Sequence, residues 1–227
     1  GVRLASRADI VASSSPQRLA KRLRVMQSHE GVPQTPVKRV QKKCDRSEEL
    51  AAFADQNFII LCFKGRTDFS KEWMRKWNYF LSRVIAHEYF HAVQFEYAAD
   101  KLPVRYLKKN GPPKSLLRPS WMVEGSAEFF ADLYVNSRLG KKANFSKIFF
   151  TASTHKQSLR KISRTEQLRD RSDYAVSHLA AHLLGTRFGA KAVLEYWQNI
   201  GFGMTHAESF QAEFGMTEAE FGAIFEE

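Results

Sequence analysis

Residues 73–97 read WMRKWNYFLSRVIAHEYFHAVQFEY, and the spacing within them decides the fold. Trp73, Trp77, Phe80, Leu81, Val84, Ile85 and Phe95 recur at helical spacing, which predicts a long amphipathic helix toward Tyr97, with Ser70 placed to cap it. Inside this stretch stands His87-Glu88-Tyr89-Phe90-His91. Side chains four apart share a helix face, so His87 and His91 can present imidazole nitrogens to one ion. Glu88 projects roughly 100° round the axis from His87, where it can reach a water at that ion without binding the ion itself. The bland alternative is a pair of core histidines flanking a surface glutamate.

Catalytic zinc takes three protein ligands and leaves a fourth position open, so this helix needs one more donor from a nearby element. Trp121-Met122-Val123-Glu124-Gly125-Ser126-Ala127-Glu128 offers it. Glu124 falls in the first turns of a second predicted helix, capped by Ser120 and running to about Ser137. Between the helices, 98–119 holds Pro103, Gly111-Pro112-Pro113 and Pro119 and reads as a loop long enough to fold the second helix back on the first. Gly125, Ala127 and Ala131 are small enough to admit a facing helix. Glu128, one turn beyond Glu124, is placed to accept a hydrogen bond from the free ring nitrogen of His87 or His91. Alternatively, Glu124 is a solvated carboxylate favoured by a helix N-terminus.

The pair HEYFH and WMVEGSAEFF resembles the signature of the gluzincin metallopeptidases, most closely the catalytic part of bacterial collagenase-type enzymes. The ligand logic is similar to that of thermolysin and the zinc aminopeptidases. The specific motifs span about residues 84–134, and a weaker likeness reaches Tyr174 and the spacing of Phe210, Phe214 and Gly215. The resemblance implies that His87, His91 and Glu124 hold one Zn2+ and that Glu88 is the general base, taking a proton from the attacking water and passing it to the leaving amine. It also implies that Tyr174 steadies the developing oxyanion; the residue alone reads equally as a tyrosine packing its ring at a helix start. No G-x-M-E-N sequence occurs, which points away from the related aminopeptidases and toward an endopeptidase acting on peptides or proteins. One competing reading is a degenerate peptidase-fold module that binds an anionic partner through its basic surface. A metal-stabilised structural domain is the other, and it requires a fourth protein ligand that the sequence does not offer.

Asn57–Phe63 (NFIILCF) is the clearest strand, short and continuously apolar, and is expected inside a sheet. Leu4–Val11 reads as a second strand. Ser13-Ser14-Ser15-Pro16 opens a basic helix through Met26, and 31–36 is a connector. Later, Asp173–Phe188 is helical and closed by Gly189, the helix resumes over Ala190–Asn199, and Thr217-Glu218-Ala219-Glu220 has capping-box spacing. The expected fold is α+β: a small strand-containing basic region (1–66) packed on a mostly helical core (67–227) as one integrated domain, zincin-like, with the metal site between two helices. His178 and His182 repeat the four-residue spacing but lack an adjacent Glu or any evident carboxylate partner, so they carry no second site. His155, among Lys156, Arg160 and Lys161, reads as surface.

The net charge is +11, with ten Lys/Arg against two Asp/Glu over 137–171. Scattered charges on a solvated face explain this more simply than a nucleic-acid partner, which is not expected. There is no apolar run long enough to span a membrane. Cys44 and Cys62 are the only cysteines, either bridged or with Cys62 a buried thiol. A bridge would mean export, and an extracellular or periplasmic location is expected.

Overall fold

A computed structural model describes residues 9–13, 50–55, 58–63, 71–99, 117–154, 158–165 and 167–227, together with Arg18, Leu19, Lys21, Lys42 and Cys44. Outside them lie the expected strand start at Leu4, most of the helix to Met26, the 31–36 connector, the Ser70 cap, residues 101–116 and His155. The described elements are β1 (Asp9–Ser13), β2 (Leu50–Asp55), β3 (Phe58–Phe63), α1 (Lys71–Ala98), α2 (Ser120–Leu139), α3 (Phe145–Thr154), α4 (Leu159–Ile162), α5 (Arg171–Gly201), α6 (His206–Phe214) and α7 (Glu218–Glu226). The architecture is α+β, mostly helical with one small sheet. Two compact units divide it, one carrying β1–β3 and α1 to Glu96, the other taking Tyr97 and everything from Pro113 on.

In the first unit the sheet order is β1-β3-β2, parallel between β1 and β3 and antiparallel between β3 and β2. The central position of β3 explains its unbroken apolar run, since Ile59, Ile60, Leu61 and Cys62 are all buried. On edge strand β1, Val11 is buried while neighbouring Ile10 is 52% exposed, the two-residue alternation of a strand with one covered face. β1 runs to Ser13, which pairs with Cys62, so Ser13 belongs to the strand and not to the helix start expected there. Cys62 is bridged to Cys44, with Cα atoms 5.6 Å apart.

The second unit is built on α2 against α5. The interface is a close crossing: a Cβ at Gly125 would stand 2.2 Å from the Ser177 carbonyl oxygen and 3.0 Å from the Ala181 Cβ. Gly125 therefore admits α5, whereas the sequence suggested that it makes room for the helix carrying the histidines. Further along, Phe129 lies over Gly185, and His178 is bonded to Asp132. Ser126 Oγ donates to the Met122 carbonyl at 2.6 Å and accepts from Trp197 Nε1 at 3.3 Å. Because the obstacle at Gly125 is backbone, Gly125→Ala should lower the unfolding free energy by roughly 3 kcal/mol. Urea unfolding would read this as a lower midpoint at unchanged slope, and an unchanged midpoint would refute the tight crossing.

Ser120 does not cap α2. Pro119 holds the N-cap place in extended backbone, with no side-chain cap, and its carbonyl accepts from the Met122 and Val123 amides. Ser120 is the first helical residue, and its hydroxyl donates to the Thr165 carbonyl at 3.3 Å. The start of α2 is fixed by packing instead. Trp121, fully buried, stacks on Phe221 of α7 and donates Nε1–H to Glu218 at 2.6 Å. Phe210, Phe214, Tyr196 and Trp197 complete that aromatic core, and burial, with Glu218 second, holds the Tyr196 phenol well above its ordinary pKa. Gly189, at φ 90° and ψ 155°, interrupts α5 where the first of the two expected helices was to close. The expected box at Thr217 and Glu220 forms, and an equivalent one at Thr205 and Glu208 starts α6.

Candidate metal centre

The histidine pair sits well inside α1, whose last four turns carry the buried residues Glu88, Phe90, Ala92, Val93 and Gln94. One turn apart, the two rings meet edge to face, with centroids 4.6 Å apart and an interplanar angle of 85°. Their Nε2 atoms approach to 3.0 Å. A tetrahedral ion with bonds of about 2.0–2.1 Å spaces two ligand nitrogens about 3.3 Å apart, so this convergence suits a shared ion. The Nδ1 of His91 lies 2.7 Å from the Oε1 of Gln94, which is fully buried. With the amide oxygen as acceptor, Nδ1 carries the proton and Nε2 keeps its lone pair for a metal.

Gln94 is the residue that sequence reading missed. It stands three positions after His91 on the same helix, so the spacing was available, but a glutamine is seldom sought as the partner of a ligand histidine. The expectation that Glu128 performs this task can now concern only the other ring, that of His87. Glu128 is half-buried on α2, one turn beyond Glu124.

Glu124 lies in the second turn of α2 and is half-buried. His87, His91 and Glu124 each offer one ligand atom, and the three atoms lie within 4.8 Å of one another. Among the described residues this is the one group of three or more His, Cys, Asp or Glu that could hold a metal ion. Two imidazole nitrogens and a carboxylate oxygen form a donor set suited to zinc, three protein ligands being the number found where the fourth position is left to water or substrate. Glu88, next to His87 and only 8% exposed, is outside that group of three. Tyr174 stands at the first turn of α5 with 39% of its surface exposed.

The His178 and His182 pair is occupied elsewhere. His178 Nε2 is 2.6 Å from Asp132 Oδ2, both side chains buried, which corrects the expectation that no carboxylate lies near. His182 packs against Phe129 and Phe145, and burial, reinforced by His178 and opposed by Asp132, lowers its pKa. His178 thus ties α5 to α2, and among the described residues the two histidines belong to no group of three or more that could hold a metal ion. Comparison with protein-family models, curated proteins and solved structures gives no match to any of the three, so the site stands on its own geometry.

Proposed function

We propose that the protein is a zinc-dependent endopeptidase of gluzincin type with a zincin-like fold. The observation that carries this reading is the convergence of His87, His91 and Glu124 within 4.8 Å, with Glu88 held beside the first of them. Zinc bound there would supply the Lewis acidity that activates a water and polarises the scissile carbonyl. Glu88 takes the proton from that water as it attacks and delivers it to the leaving amine as the C–N bond breaks. His87 and His91 orient through the helix, and Gln94 fixes the tautomer of His91. Tyr174, exposed at a helix start, is assigned to donate its phenolic proton to the developing oxyanion.

Among the described residues no helix is long and apolar enough to cross a membrane. The Cys44–Cys62 bridge fits an oxidising compartment, so an exported enzyme is the accompanying proposal.

Protein purified without chelators should contain one zinc per chain and hydrolyse peptides, and treatment with a chelator should abolish hydrolysis until zinc is restored. Tyr174→Phe in the same assay should lower kcat far more than it alters KM. Absence of zinc after purification and after titration sinks the reading.

A further inference from the structure

Between α4 and the first turn of α5 the second unit holds a cavity of ≈ 470 Å³ that belongs to none of the metal-site residues. Four cationic side chains line it, those of Arg160, Lys161, Arg164 and Arg169. None of the four is paired with a carboxylate among the described residues. The stretch that lines it, 158–173, carries Arg160, Lys161, Arg164, Arg169 and Arg171 against Glu166, Asp170 and Asp173, and the Asp170 carboxylate accepts from the Ser172 and Asp173 amides at the start of α5.

Asp173 forms part of the wall and is 2% exposed. Its Oδ2 accepts from the Arg169 amide at 2.8 Å, but its Oδ1 is buried without any donor. A buried acceptor left without a donor is costly, and the neighbouring cations favour negative charge. The cavity thus calls for two things at once, an anion for its rim and an N–H or O–H for its wall.

The cavity also has an address. Thr165 lines it, and the Thr165 carbonyl accepts from Ser120, one helical turn before Glu124 on α2. That turn is about 6 Å, so the wall of the cavity is tied to the same helix that carries Glu124. Asp173 itself immediately precedes Tyr174.

We infer that this cavity is a subsite for an acidic segment of the peptide substrate. Asp or Glu carboxylates meet the four cations, and a backbone N–H of the same segment satisfies Asp173 Oδ1. The inference deepens the endopeptidase reading and rests on it for the identity of the ligand as substrate.

Two peptides test it, identical except that one carries three consecutive Glu where the other carries three Gln. Binding is read by fluorescence anisotropy on Glu88→Gln protein, and hydrolysis as kcat/KM on the wild type. The Glu peptide should bind at least ~10-fold more tightly, and the advantage should shrink as salt screens the rim. In an Arg164→Glu/Arg169→Glu variant, whose changes lie at exposed positions, the Glu-to-Gln ratio should fall to one or invert. Equal affinity for the two peptides, or a preference that survives charge reversal, overturns the subsite even if both peptides are cleaved. Preferential, reversal-sensitive binding without hydrolysis of either peptide supports the acidic-segment site and overturns the endopeptidase reading instead.

Discussion

Glu88→Gln should keep its zinc and lose turnover by about 10²- to 10⁴-fold, the usual span of a general base. The amide has nearly the shape of the carboxylate but cannot take a proton from water at neutral pH. Because Glu88 is 8% exposed and outside the group of three ligand atoms, the exchange leaves the donors untouched and changes little surface. Metal content by elemental analysis and kcat by peptide hydrolysis should therefore separate cleanly. Full zinc with full activity would move the base elsewhere, and loss of zinc would make Glu88 a ligand.

The second large effect distinguishes two carboxylates one turn apart. Glu124→Ala should largely abolish zinc retention, because it removes one of three donors. Glu128→Ala should weaken affinity by only roughly 10- to 100-fold, as expected of a group acting through a ligand's other nitrogen. Gln94→Ala belongs with Glu128→Ala, since its bond to His91 sets the tautomer without touching the ion. Competition with a chromogenic chelator measures all three. If Glu128→Ala loses the metal and Glu124→Ala keeps it, the ligand lies one turn further along α2; if neither changes affinity, the metal centre is wrong.

What was legible in the chain was what local spacing encodes. The α1 periodicity, the HExxH step, the apolar run of β3, the break at Gly189 and the box at Thr217 all depend on residues within a turn or a strand of one another. β2 was not legible: Leu-Ala-Ala-Phe-Ala-Asp has little strand preference, and its conformation follows from pairing along β3. Tertiary partners escaped in the same way. Ser120 has the composition of a cap but gives its hydroxyl to Thr165, forty-five residues on. Gly125, beside Glu124, announced a close neighbour without naming it, and its neighbour proved to be α5. Asp132 and His178 look unrelated until two helices bring them together.

The crossing at Gly125 bears on precision. Glu124 is the residue next to it, so whatever fixes the rotational phase of α2 also fixes the azimuth of that carboxylate. A side-chain tip rides about 5–6 Å from a helix axis, so a roll of about 20° sweeps it about 2 Å. Metal–ligand distances tolerate about 0.2 Å, corresponding to a roll of only about 2°. Backbone against backbone at Ser177, with Trp197 gripping Ser126 and His178 gripping Asp132, stops such rolling at three levels of one interface. α2 is thereby indexed like a gear tooth against α5, so the azimuth at which Glu124 would meet an ion is set by this interface.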